Sequence, residues 1–144
     1  MVTGRGKRNV RRTVLKRKSK NPKKTARDRA WREFSKWVRA REPNCVTCGG
    51  SAENAGHFVH GVSLTKLYLN PDIVHSQCIS CNLWQSGNMA KYTLFMIDKY
   101  GRKEVDRLLK LKGSPELSGD KPTVEWYKSM EETYKALNAG RSLD

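Results

Sequence analysis

The sequence predicts a small α+β domain in which a short β-hairpin lies between an N-terminal helix and two or three C-terminal helices. Apolar residues recur at helical spacing before residue 42 and again after residue 81. Between these regions, two Cys-x-x-Cys pairs enclose short β-favouring runs. A chain of 144 residues is long enough for one domain with a modest core and too short for two ordinary ones.

The N-terminal segment is predicted to be a disordered basic arm. Residues 1–24 contain eleven Lys or Arg and no acidic residue, in a chain with a formal net charge of +15. Large apolar residues are so few there that burial cannot offset the entropy lost on ordering. A block of positive charge of this length favours a polyanionic partner, most readily nucleic acid, and a solubilising tail is the alternative.

A first helix is predicted from about residue 26 to 41. Thr25 and Asp28 form a start similar to a capping box, and Glu42-Pro43 ends the periodic pattern. Most basic residues of this helix lie off its apolar stripe, on a face that contacts either solvent or nucleic acid. The residues predicted to bind nucleic acid are four on this helix and one after the cysteines: Arg27, Arg29, Arg32, Lys36 and Lys91.

Residues 44–81 are predicted to form a metal-tied β-hairpin, with β-favouring runs around 55–59 and 73–77. In a reducing cytosol, paired Cys-x-x-Cys motifs favour a metal site over disulfides. Four thiolates complete a tetrahedral zinc and leave no open position, so the predicted zinc is structural. Free buried thiols are the alternative. The predicted zinc ligands are Cys45, Cys48, Cys78 and Cys81.

The C-terminal part is predicted to be helical over residues 101–140, after a helix that ends at Gly101. A shorter helix ends at Gly113, and Thr123 begins the last one. No stretch is apolar enough to cross a bilayer, and no apolar segment of the kind that a secretory signal needs follows the basic N-terminus. The chain is therefore expected to stay in the cytoplasm.

All three histidines of the chain, His57, His60 and His75, lie in the segment that the cysteines enclose. If four thiolates saturate the zinc, none of these imidazoles is needed as a ligand. Their grouping in a strongly basic protein favours a catalytic role over scattered core positions.

Four motifs occur in a specific order: "NCVTCG" at 44–49, "AGHF" at 55–58, "LYLNPDIVHSQCISCN" at 67–82 and "SGN" at 86–88. This pattern resembles the HNH, or ββα-metal, nucleases, and within them the phage recombination proteins of the NinG/Rap family. The resemblance implies a zinc-stapled ββα core at about 44–100, within a nuclease domain that spans residues 25–144.

The resemblance also implies the roles of individual residues. His57 matches the general base, and Asn82 matches a ligand of a catalytic Mg²⁺ or Mn²⁺ that is separate from the zinc. Many HNH enzymes carry an Asp or His immediately before the base, where this chain has Gly56. His75 is expected to help with metal binding or to position the base or the phosphate, and Asn70 is the alternative for positioning. The predicted catalytic residues are thus His57, His75 and Asn82.

The function implied is a metal-dependent DNA endonuclease of phage type, acting on branched or single-strand-containing recombination intermediates in the bacterial host cytoplasm. Paired cuts across a junction would suit a homodimer, and other recombination proteins would be partners. The alternative is a non-catalytic, zinc-binding accessory protein that binds nucleic acid. Replacement of His57 or Asn82 discriminates between the two, because only a nuclease needs them for function.

Overall fold

The structure, a computed structural model, describes residues 21–112, 114 and 121–140. It confirms the predicted small α+β class. Two strands form one antiparallel hairpin, and helices precede and follow it. No helix in these ranges is both long enough and apolar enough to span a membrane. In chain order the elements are α1 (Pro22–Arg41), β1 (Asn54–His57), a 3₁₀ turn (Lys66–Leu69), β2 (Val74–Gln77), a π-helical turn (Ser80–Trp84), α2 (Met89–Tyr100), α3 (Arg102–Lys110) and α4 (Val124–Asn138).

The helix α1 begins earlier than predicted. Asn21 is its N-cap, and the Oδ1 atom accepts hydrogen bonds from the backbone amides of Lys23 and Lys24 at 3.1 and 3.2 Å. The start predicted at Thr25 is wrong, because an Asn cap followed by Pro22 in the first turn is the stronger start signal. Residues 22–24, predicted to belong to the disordered arm, are therefore helical. The rest of the predicted arm, residues 1–20, lies outside the described residues.

The hairpin lies within the two predicted β-favouring runs. Asn54 pairs with Gln77 at one end, and His57 pairs with Val74 at the other. Within the described part of the chain β1 has no other partner strand, so its outer edge is unpaired.

Helices cover both faces of the hairpin. Since successive side chains of a strand alternate between faces, His57 and Ser76 point to the same side, where Ser76 Oγ donates to the Val38 carbonyl of α1 at 3.1 Å. On the opposite side, the ring of Phe95 in α2 packs edge-on against His75, with centroids 5.0 Å apart. The hairpin is thus held between α1 and α2.

The other face of α1 packs against α4. Phe34 is fully buried, and its ring meets Tyr134 edge-on at a centroid distance of 4.9 Å. The helix α4 begins as predicted, because Thr123 Oγ1 accepts a hydrogen bond from the Trp126 amide at 3.1 Å. The helix α2 also ends as predicted at Gly101, whose φ of 84° suits glycine. Gly113, the predicted end of α3, lies outside the described residues.

Candidate metal centre and adjoining histidine site

The four cysteines converge from two turns. The first turn is closed by the Cys45 amide, which donates to the Gly50 carbonyl at 2.7 Å. The second follows β2, where the Asn82 amide donates to the Cys78 carbonyl at 2.9 Å. All four Sγ atoms lie within 4.8 Å of one another, and no histidine joins this cluster among the described residues. Zinc–sulfur bonds are about 2.3 Å long, so these cysteines could hold one metal ion such as zinc.

The charges in this cluster favour a bound cation. Burial raises the pKa of the Cys45 thiol, but the Thr47 hydroxyl and neighbouring backbone amides outweigh this and lower it to about 6. The hydrogen bond from the Gly50 amide lowers the pKa of Cys48, but the neighbouring Cys45 and Cys78 sulfurs together outweigh it and raise this pKa to about 12. Once one thiolate forms, the others resist ionisation. A divalent cation removes this repulsion and allows four thiolates.

His57, the last residue of β1, has a defined tautomer. Its Nε2 atom lies 2.9 Å from the backbone oxygen of Tyr68. A carbonyl oxygen can only accept, so Nε2 carries the proton and Nδ1 carries the lone pair. The ring stacks on Trp31 and Tyr68, with centroid distances of 5.1 and 5.0 Å and interplanar angles of 17° and 12°.

The surroundings of His57 keep its ring neutral. Burial lowers the pKa of His57 below its ordinary value, and the nearby His60 acts in the same direction. The hydrogen bond to Tyr68 opposes the shift but does not cancel it. At neutral pH the imidazole is therefore uncharged, with Nδ1 available to accept a proton.

Asn82 reaches the residue immediately before His57. It lies in the π-helical turn after β2, and its Oδ1 atom is 2.9 Å from the point where a Cβ on Gly56 would be. Since Gly56 and His57 face opposite sides of β1, the side chains of Asn82 and His57 also lie on opposite faces of the strand. The structure thus brings the two predicted residues to the same strand but not to the same face.

A groove runs beside this position, between α1, β1 and the π-helical turn. Its volume is about 410 Å³, and Asn82, Ser35 and Arg39 are among its lining residues. Leu83 and Trp84 follow Asn82 and are strongly exposed, at 62% and 81%. The groove is open to solvent, and its lining includes the basic Arg39, the acidic Glu53 and the apolar Leu83.

His75 lies apart from this groove and is fully buried. Its Nδ1 atom is 2.7 Å from Glu42 Oε1, and its Nε2 atom is 3.0 Å from the Asp72 carbonyl and 3.1 Å from the Tyr100 hydroxyl. Both ring nitrogens therefore have partners inside the protein. The catalytic role predicted for His75 stays a prediction, and the contacts of its ring connect the end of α1 to β2.

Two of the five residues predicted to bind nucleic acid have partners within the protein. The guanidinium of Arg27 lies 5.8 Å from the centroid of the Tyr68 ring, at the aromatic stack. Arg29 forms an ion pair with Glu131 of α4 at 3.2 Å. The structure therefore directs both side chains towards other parts of the fold.

The other three predicted residues, Arg32, Lys36 and Lys91, are exposed. Arg32 and Lys36 are four residues apart on α1, and Arg39 follows after three more, so the three share one side of the helix. Arg39 lines the groove. We call Arg32, Lys36 and Arg39 the basic ridge; it borders the groove on the α1 side.

Sequence reasoning missed Trp31 and Tyr68 as partners of His57, and it gave no role to Gln77. Trp31 is one of the apolar residues that recur along the first helix, and its stacking on His57 depends on a contact between residues distant in the chain. Gln77 lies in the "HSQC" part of the third motif, which was the only sequence signal for it.

The architecture defines a class of protein: a small α+β fold with a four-cysteine cluster and a histidine of fixed tautomer at an unpaired strand edge. The chain belongs to the NinG family: the family model described as "Bacteriophage Lambda NinG protein" matches residues 3–140. The predicted resemblance to NinG is thus confirmed, and the wider HNH assignment stays a prediction.

Individual relatives align over a shorter region. Protein ninG of Escherichia phage lambda is 34% identical over 73 residues, which cover 49% of this chain and 36% of the relative. Protein ninG of Escherichia phage 933W and that of Salmonella phage P22 are each 33% identical over the same shares. The match therefore spans only about a third of the length of these relatives. No solved structure matches the chain.

Proposed function

We propose that the chain is a metal-dependent DNA endonuclease that hydrolyses phosphodiester bonds, with zinc as a structural ion in the four-cysteine cluster. The observation that carries this proposal is the tautomer of His57, whose Nε2 atom is engaged by the Tyr68 carbonyl at 2.9 Å. A half-buried, neutral imidazole with an unprotonated Nδ1 can take the proton from a water molecule that attacks phosphorus.

The placement of His57 and Asn82 on opposite faces of β1 suits this reaction. In an in-line displacement, the attacking and leaving oxygens lie on opposite sides of the phosphorus. A phosphate lying across the unpaired edge of β1 would have His57 on the side of attack. Asn82 would then lie on the side of the leaving group.

The residues around Gly56 fit a hard divalent cation. The Asn82 amide oxygen is a suitable ligand for Mg²⁺ or Mn²⁺. A side chain on Gly56 would collide with the amide oxygens that face it, so these oxygens can approach the strand only because residue 56 is glycine. When bound, such an ion would stabilise the negative charge of the leaving 3′ oxygen. His75 is not among the reacting groups that we propose, because both of its nitrogens have internal partners.

The basic ridge would hold the phosphate backbone of the substrate. Its charges lie beside the groove, and contacts of this kind give affinity without base readout. Family membership supports a role in phage recombination, with branched or single-strand-containing DNA as the substrate in the host cytoplasm. A homodimer and other recombination proteins as partners belong to the same proposal.

A second candidate function is a non-catalytic accessory protein that binds zinc and nucleic acid. The four-cysteine cluster and the basic ridge favour it, because both would serve binding without any reacting group. The two candidates differ in what they require of His57 and Asn82.

The test uses the zinc-loaded protein with supercoiled plasmid and with a branched DNA, in Mg²⁺, Mn²⁺ or EDTA. We expect His57→Ala and Asn82→Ala each to reduce cleavage by about a thousandfold or more while zinc content and DNA binding persist. His60→Ala is the matched control, because it removes an exposed imidazole that is not among the proposed reacting groups. Absence of cleavage with every metal, together with intact DNA binding, would support the accessory protein instead.

A further inference from the structure

The side chain of Gln77 contains a buried oxygen without a partner. Gln77 is the last residue of β2 and is fully buried. Its Oε1 atom is one of the few buried side-chain polar atoms in the described ranges that have no hydrogen-bond partner. A buried amide oxygen left in this state destabilises the fold, so its retention requires a reason.

The orientation of this amide is determined by its other end. The Nε2 atom donates to the Gly87 carbonyl at 2.8 Å and to Thr47 Oγ1 at 3.3 Å. Since a carbonyl cannot donate, turning the amide over would place two oxygens against each other. Oε1 must therefore point towards Gly56.

Two amide oxygens converge on the space above Gly56. A Cβ atom built on this residue would overlap Gln77 Oε1 and would lie 2.9 Å from Asn82 Oδ1. Asn54 and Gln77 are paired in the hairpin, so Gly56 and Gln77 lie on the same face of the sheet. The space that an ordinary side chain would fill is instead occupied by the unpartnered Gln77 oxygen, with the Asn82 oxygen beside it.

We infer that Gln77 Oε1 and Asn82 Oδ1 together bind the divalent cation, with the Gln77 oxygen taking the place of a side-chain ligand that Gly56 cannot supply. The inference deepens the proposed function, because the ion is the one that the proposed reaction uses. Amide oxygens are hard ligands that suit Mg²⁺ and Mn²⁺. A bound cation would also give the buried oxygen the partner that it lacks.

Two neutral ligands contribute no negative charge, so binding to the free protein is weak. We expect a dissociation constant of roughly millimolar order for Mn²⁺. A phosphate group beside the ion supplies the missing negative charge, so DNA increases the affinity.

The test measures Mn²⁺ binding to the full zinc-loaded chain without DNA, by the loss of the free Mn²⁺ signal in electron paramagnetic resonance. In parallel, paramagnetic broadening of side-chain amide signals in ¹⁵N spectra locates the ion. We expect the Gln77 and Asn82 signals to broaden first. Gln77→Met, which keeps the length of the side chain, is expected to weaken binding by about ten- to a hundredfold.

Two further variants keep the inference falsifiable if Gln77→Met folds poorly. Gly56→Ala leaves both amides in the sequence but fills the space, so it also abolishes binding. Gly56→Asp combined with Gln77→Ala places a carboxylate in the space that the Gln77 amide leaves. This double variant should therefore bind Mn²⁺ more tightly than Gln77→Ala alone. Zinc content and circular dichroism establish that each variant is folded.

The inference is overturned if folded Gln77→Met binds Mn²⁺ as the wild type does, or if the ion broadens neither amide. Its failure is distinguishable from failure of the proposed function. Cleavage by a Gln77→Met protein with unchanged Mn²⁺ affinity refutes the role of Gln77 and leaves the nuclease. Conversely, Mn²⁺ binding that depends on Gln77 in a protein that cuts no DNA supports the cation site and refutes the nuclease.

Discussion

His57 has the tautomer and the charge state of a general base because of three neighbouring groups. The Tyr68 carbonyl fixes the proton on Nε2, and the stacked rings of Trp31 and Tyr68 bury the imidazole. Burial lowers the pKa of His57. The neutral form, which can accept a proton, therefore persists to lower pH than it would in an exposed histidine.

Trp31→Ala tests this explanation. Removing the indole exposes the His57 ring to water, so the pKa of His57 is expected to rise towards its ordinary value of about 6.5. Titration of the ring protons by NMR measures the shift. If the protein cleaves DNA, the acidic limb of its pH–rate profile moves to higher pH in the same variant. Trp126→Ala, which removes a half-buried indole outside this stack, serves as the control; an unchanged His57 pKa in Trp31→Ala would contradict the explanation.

Sequence reasoning located the cysteine cluster, because paired Cys-x-x-Cys motifs have characteristic spacing. The family resemblance singled out His57 and Asn82, whose roles stay predictions. Sequence reasoning could not find the role proposed for Gln77, since the orientation of that amide depends on the Gly87 carbonyl ten residues later. It also grouped His75 with His57 by proximity in the chain. In the fold, Glu42 approaches His75 from 33 residues earlier and holds it inside the protein.

At its C-terminal end, α1 is attached to β2 by a side-chain contact between Glu42 and the buried His75. Glu42 Oε1 lies 2.7 Å from His75 Nδ1, and its Oε2 atom accepts from the Ser76 amide at 3.1 Å. Burial raises the pKa of Glu42, but the hydrogen bond and charge of His75, the Ser76 amide and the charge of Arg41 outweigh burial and lower it to about 2. The carboxylate therefore stabilises the folded state at neutral pH.

Glu42→Gln is expected to lower the free energy of unfolding at pH 7 by up to about 3 kcal/mol. Because the folded pKa lies below the unfolded value, this stabilisation is complete above pH 4.5 and is lost as the pH falls towards about 2. Urea denaturation of wild type and variant across this pH range measures the difference between their free energies of unfolding. Effects common to both proteins, such as loss of zinc, cancel in this difference. Glu132→Gln changes an exposed carboxyl on α4 and should have little effect on stability. If the loss of stability in Glu42→Gln did not depend on pH, the lowered pKa of Glu42 would not be its cause.

The basic ridge of α1 leads to a separate prediction about the salt dependence of DNA binding. Arg32→Ala combined with Lys36→Ala is expected to weaken binding and to reduce the slope of log affinity against log salt by about 2, since each phosphate contact contributes about 0.9. Fluorescence anisotropy over a salt series measures the slope. Lys103→Ala combined with Lys110→Ala removes the same charge from α3 and should leave the slope nearly unchanged; equal slopes for the two double variants would show that the ridge is not a specific DNA contact.

At the scale of the whole molecule, the integrity of the hairpin is expected to depend on the cysteine cluster. A two-stranded hairpin of four-residue strands is marginal on its own, and the cluster joins the segments that precede β1 and follow β2. The helices α1 and α4 instead pack through their own apolar faces, as the Phe34–Tyr134 contact shows. The two parts should therefore respond differently to metal removal.

Chelation of the metal is expected to accelerate hydrogen exchange in the hairpin, for instance at the Phe58 amide, which donates to the Ile73 carbonyl at 2.7 Å. Amides in the contact between α1 and α4 should keep more of their protection. Hydrogen exchange followed by mass spectrometry, before chelation, after chelation and after zinc is added back, measures this difference in protection. Cys48→Ser should accelerate exchange in the hairpin without any chelator. Unchanged protection of the hairpin would mean that the cluster does not hold the fold together.

The order of the elements could be predicted from the sequence, because Thr123, Gly101 and the cysteine pairs are local signals. The arrangement of α1 and α2 on opposite faces of the hairpin could not be predicted. It depends on contacts such as that between Ser76 and the Val38 carbonyl, which join residues 38 positions apart. The opposite faces taken by His57 and Asn82 follow instead from the alternation of side chains along β1, since Asn82 approaches Gly56.

The catalytic role proposed for His57 is tested most directly by the rate at which the zinc-loaded protein nicks supercoiled plasmid in Mn²⁺, compared with His57→Ala prepared in the same way. This role predicts nicks with 5′-phosphate and 3′-hydroxyl ends in the wild type, their loss on addition of EDTA, and a rate at least about a thousandfold lower in the variant. Equal nicking by a folded, zinc-loaded His57→Ala protein would contradict it.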